Sequence, residues 1–313
     1  MLNWFSDHLD ANTIRVQAPT PVVFLCGGAI SDLKIKNPQS LRDAFYKIID
    51  NPVLKGRHMI MAEDVNVYYL SRAAYRDLLS FETDLAQVCE LVIIFPESEG
   101  SIAELGAFSV IEEISERLLV VPRDKKFTEK SFVKLGPLLA LTNRFGARSV
   151  YVLDDDDIGM NGNSASRVNL DAVRDRLQGP IEERLSGIRN PTTFDPGKSG
   201  HKIKLITGLI QEFGGLTIGE IEGLLVAANV LETPERISGY LLCAETVGWV
   251  RPMQKGSQEF YFAEPVADAA QLSLPSDPDA RDKSRRRLLI REHWKVADAD
   301  RYRGIVQVSG GAR

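Results

Sequence analysis

Cysteine is scarce in this chain. There are three, Cys26, Cys89 and Cys243, far apart and odd in number. That excludes a disulfide framework or a zinc cluster, and all three read as small buried hydrophobes. Long apolar runs are missing too. Leu91 to Phe95 is cut short by Pro96, far below the ~18 residues of a membrane span. The opening Met1-Leu-Asn-Trp-Phe-Ser-Asp7 lacks the basic start and apolar stretch of a secretory signal, so a cytoplasmic protein without membrane contact is expected. Excess positive charge is also absent. With 38 Lys and Arg against 43 Asp and Glu the net charge is −5, which argues against a generic nucleic-acid coat.

What remains is an ordinary globular composition, 44% apolar and 26% charged over 313 residues. At about 150 residues per domain, two domains are expected. After a lead-in over 1–20, apolar runs at 21–26, 58–62, 91–95, 118–121 and 148–153 read as five buried strands. Helical periodicity lies between them, at 40 onward, 71–89, 102–118 and 131–144. Continuous apolar strands alternating with amphipathic helices predict an α/β fold over 21–155, with a parallel sheet covered on both faces. The aspartates at 154–157 lack the alternating ligands of a calcium loop and read as the start of a solvated linker. This linker, 156–200, carries two short helices, about 166–178 and 180–185, and ends in a Pro- and Gly-rich hinge.

A different pattern fills 201–268. One amphipathic helix ends at Gly214-Gly215 and a second follows Thr217. A third opens at Thr233-Pro234-Glu235, with a cap and a proline at its first position. Two short strands around a polar tip at 254–257 complete the order of a winged helix-turn-helix. Eight glutamates oppose five basic residues there, so the module should bind duplex weakly. The tail, 269–313, is the better nucleic-acid candidate. Nine Lys or Arg face four acids between Arg281 and Arg303, and Arg285, Arg286 and Arg287 are its centre. A solvated amphipathic helix is the alternative.

Ligands of parallel sheets sit outside the carboxyl ends of the strands. Three such ends carry suitable groups: Cys26-Gly27-Gly28, Glu63-Asp64, and Glu97 through Glu104. In the last, a strand runs into a Gly-containing turn and then a helix whose first turn is expected to hold Glu104. The helix dipole would keep that carboxylate ionised. An ionised, aimed carboxylate suits attack on an anomeric carbon, where N-glycosidic cleavage builds oxocarbenium charge. Gly100 allows close backbone approach, and Ser98 and Ser101 lie within the same turn. The alternative is a capping box between Ser101 and Glu104. Glu63 and Asp64 are candidates for holding ribose hydroxyls or protonating a leaving base, or are an exposed turn pair. Asp84 is a candidate acid or a solvated helix position. Cys26 sits at the pocket mouth but reads as packing, because no base adjoins it.

Phe24-Leu-Cys-Gly-Gly28, Ala62-Glu-Asp64 and Ile94-Phe-Pro-Glu-Ser-Glu-Gly-Ser-Ile-Ala-Glu-Leu-Gly-Ala-Phe-Ser109 resemble the nucleoside 2-deoxyribosyltransferase-like effectors of retron antiphage systems. Lys125-Lys-Phe, Lys130-Ser-Phe and Gly136-Pro137 extend the likeness, which spans about 20–153. The resemblance implies a five-stranded flavodoxin-like sheet and N-glycosidase action on NAD or a related nucleotide, with Glu104 as the catalytic carboxylate. It implies no metal and no cofactor beyond that substrate. The implied partners are a reverse transcriptase and its multicopy DNA–RNA hybrid, which restrain toxicity, with room for higher-order assembly. Deoxyribosyltransferases carry an aspartate about six residues before the catalytic glutamate. Here Ser98 stands there, which leans toward hydrolysis over base exchange. The turn also resembles that of phosphoribohydrolases acting on nucleoside monophosphates. A non-catalytic nucleotide sensor with a DNA-binding head is the competing class.

Overall fold

Aliphatic and β-branched residues concentrate in four short segments that pair in parallel. Along the chain these elements are β1 (Thr20–Cys26), α1 (Leu41–Tyr46), β2 (His58–Met61), α2 (Ala62–Ser71) and α3 (Leu78–Ala86). Then come β3 (Cys89–Ile94), α4 (Glu99–Val110) and β4 (Leu118–Val120). The structure, a computed structural model, describes residues 1–17, 20–48, 53–71, 74–124, 130–186, 190–275 and 281–310. The motif start at 125–129 and the first residues of the expected hinge, 187–189, lie outside them. Strand order is β2-β1-β3-β4, with Phe24 opposite both Ile60 and Val92, and Ile93 opposite Leu119. The chain leaves β1 toward one edge and returns on its other side as β3. The order therefore reverses between the carboxyl ends of β1 and β3, which is where open α/β sheets take ligands.

The sheet has four strands, not the five expected. Segment 148–153 meets the β4 side only through isolated bridges, Val120 to Val150 and Arg123 to Leu153. Three bonds of a parallel ladder are present: Tyr151 N to Val120 O, Leu153 N to Pro122 O, and Asp124 N to Leu153 O, each 2.9 Å. The rung between the first two cannot form, because Pro122 has no N–H to donate.

On one face of the sheet, Val23, Leu25, Leu91, Ile93 and Leu119 form a core with Leu41 and Phe45 of α1. Val173, Leu177 and Ile181 of α5 (Leu170–Leu185) join it. The stretch expected as a linker thus covers the sheet. Two helices were expected there, but α5 runs through Pro180 as one, since Leu177 and Ile181 on either side stay buried. Asp155 is not solvated either. Arg123 grips it in a fork, at 2.8 and 2.6 Å. On the other face, Phe24 meets Phe108 of α4, ring centres 6.3 Å apart.

The chain divides into two compact units: this α/β unit (19–65 and 89–188), and a second unit drawn from 1–18, 66–88 and 189–313. The second is built round α6 (Ser199–Phe213), whose Ile203, Ile206, Leu209 and Ile210 are fully buried. Gly214, at φ +80°, ends α6 in the left-handed region. After it come β5 (Gly215–Leu216), α7 (Ile218–Ala227), α8 (Pro234–Thr246) and the hairpin of β6 (Val250–Lys255) and β7 (Gln258–Ala263). The antiparallel order is β5-β7-β6. Thr217 and Glu220 cap α7 reciprocally, and Thr233 caps α8 with Pro234 at its first position, the latter as the sequence pattern predicts.

α3 packs on α8 within this unit. The expected basic tail is folded in as α9 (Lys283–Ala297) and α10 (Ala299–Gly310). There Arg301 lies 4.0 Å from the Trp294 ring centre and pairs with Glu220 at 2.6 Å. Among the described residues, no helix is long and apolar enough to cross a membrane.

Candidate active site

The switch point is closed tightly by glycine. A Cβ on Gly27 would lie 2.8 Å from Cβ of Arg42, and one on Gly28 would lie 2.7 Å from Cβ of Ser40. No larger residue fits without movement. Ser40 caps α1, accepting from the Asp43 amide and donating to Ala29 O, both at 2.8 Å. Glu97, just beyond β3, reaches the same helix. Its two oxygens accept from the amides of Leu41 (2.7 Å) and Arg42 (3.0 Å), so an anion sits on the positive end of α1. Burial pushes the Glu97 carboxyl up, opposed by the Leu41, Arg42 and Gly28 amides and by the Arg42 charge. Expected to bind substrate, Glu97 instead holds α1 against the end of β3.

The turn into α4 is closed by serine. Ser98 is the N-cap and Ser101 its reciprocal partner. The Ser101 hydroxyl donates to Ser98 O at 2.9 Å, and Ser98 Oγ to Gly27 O at 3.2 Å. The Ser101 hydroxyl is therefore engaged within the turn and the Ser98 hydroxyl by the end of β1, while Gly100 lies exposed beside them. The alternative reading, a box between Ser101 and Glu104, does not hold, since the box pairs Ser98 with Ser101.

Glu104 is the sixth residue of α4, in its second turn rather than its first. The Cys26 thiol hydrogen-bonds its carboxylate. Oε2 is buried with no hydrogen-bond partner among the described residues. Burial raises the Glu104 carboxyl above its ordinary range. The Cys26 bond and the Arg42 charge oppose that rise, and the Glu63 charge adds to it. The direction of this shift is opposite to that expected from the helix dipole. The dipole fades beyond the first turn, and desolvation dominates.

Sequence reasoning missed Arg42. Its side chain is 2% exposed, and its Nε donates to Gly28 O at 2.6 Å and Nη1 to Leu25 O at 3.4 Å. Two more of its donors fork onto both oxygens of Glu63, Nη1 to Oε2 at 3.0 Å and Nη2 to Oε1. The available signal was an arginine in the first turn of the helix that follows the first strand and Gly27-Gly28. Glu63 and Asp64 open α2. Asp64 turns back to accept from the Met61 amide at 3.1 Å. Glu63 forms part of the wall of a 430 Å³ cleft, with Ser31, Asp32, Tyr46 and Met61.

The structure does not bring Asp84 into this group. It belongs to the second unit, where it accepts from Tyr75 Oη at 2.8 Å and pairs with Arg236 at 2.9 Å. Of the three arginines singled out in the tail, only Arg285 is exposed. Arg286 is sealed against Glu212, their side chains 2% and 1% exposed, and Arg287 pairs with Glu212 and Asp268. Those two charges are committed inside the unit. Among the described residues, no group of three His, Cys, Asp or Glu is set to hold a metal ion.

A parallel α/β unit with a half-buried carboxylate at its switch point, in one chain with a unit that contains a three-helix and hairpin module, is the class that this geometry defines. Within it, the chain belongs to the family described as STM3845 retron effector protein, which it matches over residues 38–252. Two relatives from Escherichia coli are similar to part of it. One, named "Retron Ec86 putative ribosyltransferase/DNA-binding protein", is 32% identical over 144 residues, 44% of this chain. The corresponding Ec73 protein is 31% identical over 145 residues, 45% of this chain. The matched stretches cover 42% and 44% of the lengths of those relatives.

Proposed function

We propose that the α/β unit hydrolyses the N-glycosidic bond of NAD or a related nucleotide, with Glu104 as nucleophile. One observation carries this reading. A half-buried glutamate that does not cap its own helix, with Oε2 buried and unpartnered among the described residues, sits where open α/β sheets take ligands. An oxygen of Glu104 attacks C1′ as the C1′–N bond breaks and the base departs with the bonding electrons. Water then cleaves the glycosyl ester and restores the carboxylate.

Asp64 and Glu97 already accept main-chain amides. That supports a leaving group needing no proton, and the nicotinamide of NAD is cationic before cleavage and leaves neutral. Ser98 supports hydrolysis over base exchange, and the relatives' printed name, ribosyltransferase, concerns the same class of bond. The test is nicotinamide release from NAD by the purified protein. Glu104→Gln should lower it at least ~100-fold with the fold retained. Release unaffected by that substitution overturns the assignment.

In this reading the protein is a toxic cytoplasmic effector, restrained by a retron reverse transcriptase and its DNA–RNA hybrid. The strand order supports a flavodoxin-like sheet, and the order of elements over 199–263 supports a winged helix-turn-helix. The third helix of such a module reads DNA. Here α8 has Ile237, Gly239, Tyr240, Leu242 and Cys243 buried, which favours protein contact through this module and nucleic-acid contact on the Arg285 side of α9. A salt titration separates this from a DNA-binding regulator. Tight duplex binding by the isolated chain, falling steeply with salt, would favour the regulator.

A further inference from the structure

We infer that Arg42 is a positioning residue that turns Glu63 into a reader of a ribose cis-diol, so that the site takes ribonucleotides and rejects their 2′-deoxy counterparts. The inference rests on the reading of the site as a nucleotide pocket and goes beyond it by naming the sugar.

Elimination comes first. Five polar side chains stand at the strand ends of this unit: Glu63, Asp64, Glu97, Ser98 and Ser101. Glu97 caps α1 with both oxygens, Asp64 accepts from the Met61 amide, Ser98 reaches Gly27 O and Ser101 the Ser98 carbonyl, and none of the four forms part of the described cleft wall. Glu63 is different. Its side chain is 53% exposed and forms part of the cleft wall. Both of its oxygens are fixed from behind by one buried guanidinium, itself tied to Gly28 O and Leu25 O.

A carboxylate oxygen carries two lone pairs and an ionised carboxylate only accepts. With one lone pair on each oxygen committed to the Arg42 fork, the other two remain as a paired acceptor. That pair matches two adjacent hydroxyls, as an acidic residue does on the ribose of a dinucleotide. A 2′-deoxy sugar offers one hydroxyl where two are received. A site built to bond a hydroxyl rejects the analogue lacking it, because the acceptor is then left unpaired. Arg42 supplies the fork that a lysine, a point charge, cannot reproduce.

The experiment measures binding to Glu104→Gln protein by calorimetry, so that no turnover intervenes. The probes are nicotinamide mononucleotide, which carries a single ribose, and its 2′-deoxy form. The ribonucleotide should bind about 10- to 100-fold more tightly, as for a hydrogen bond to a charged group. Adding Glu63→Gln or Arg42→Lys should shrink that ratio to about twofold or less. The larger loss should fall on the ribonucleotide, because the deoxy form makes only one of the two bonds. Since Arg42 is buried and its variant risks misfolding, Glu63→Gln is the decisive arm, checked by an unchanged melting temperature. Equal binding of the two probes, or a ratio that survives Glu63→Gln, overturns the inference. Nicotinamide release that ignores Glu104→Gln overturns the glycosidase reading instead.

Discussion

Ionising Glu104 inside the fold costs more than ionising it in water, and the sign of that cost makes it visible. Its folded carboxyl is raised by burial, so over a window above the ordinary glutamate value the folded state keeps a proton that the unfolded chain has released. Stability then falls as pH rises through that window. Glu104→Gln should therefore melt higher than the unsubstituted protein at neutral pH, with the difference vanishing in acid, where both side chains are neutral. Thermal melts at a series of pH values check this. The nucleophile must be ionised, so the acid limb of kcat/KM should lie above the ordinary glutamate range. Cys26→Ala removes a bond that favours the anion and should move that limb higher. Cys26→Ser, which keeps a donor, should hold it near its original place. At this scale the sequence was partly legible. Gly27, Gly28 and Glu104 stood out because strand ends and glycine turns are local patterns. The Glu97 cap on α1 was not, because its partners Leu41 and Arg42 lie 56 and 55 residues away.

Elements were legible where their signals are local. The caps at Ser40, Thr217 and Thr233 and the left-handed Gly214 fall where turn and cap chemistry requires. The fifth strand was misread, because one proline on the neighbouring segment removes a rung that no pattern within 148–153 reveals. The basic block was misread for a similar reason. Charge counting cannot tell a solvated arginine from one whose acid lies in a distant element, and Glu212 is 74 residues from Arg286. The two cases should separate in thermal melts. Arg286→Ala leaves Glu212 buried with only Arg287 for company, and breaking such a pair costs about 3–5 kcal/mol. Exposed Arg285→Ala should stay within about 0.5 kcal/mol. A small effect of Arg286→Ala would show that the pair contributes little to the unit.

For the whole molecule, the division of the chain decides what can be separated. Domain boundaries drawn along the sequence assume that each domain is one stretch, whereas the second unit draws on three. Residues 66–88 leave the α/β unit after α2 begins and return to it at β3. On the way, α3 and Tyr75 cover α8. Tyr75 lies 3.1 Å from where a Cβ on Gly239 would be, and its hydroxyl is 3.2 Å from Cys243 Sγ. Asp84 pairs with Arg236. A fragment of residues 199–310 lacks all of that cover, so Tyr240, Leu242 and Cys243 would face water, and an exposed apolar helix face binds hydrophobic dyes and weakens cooperative melting. That fragment should therefore bind such a dye and unfold over a broad range, although it contains every residue of the helix-and-hairpin module. A peptide of residues 74–88 added in trans should sharpen the transition, and the same peptide carrying Asp84→Ala should do so less. A fragment that melts sharply without the peptide, at the temperature of the full chain, would show that α3 is an accessory to the module rather than part of its core.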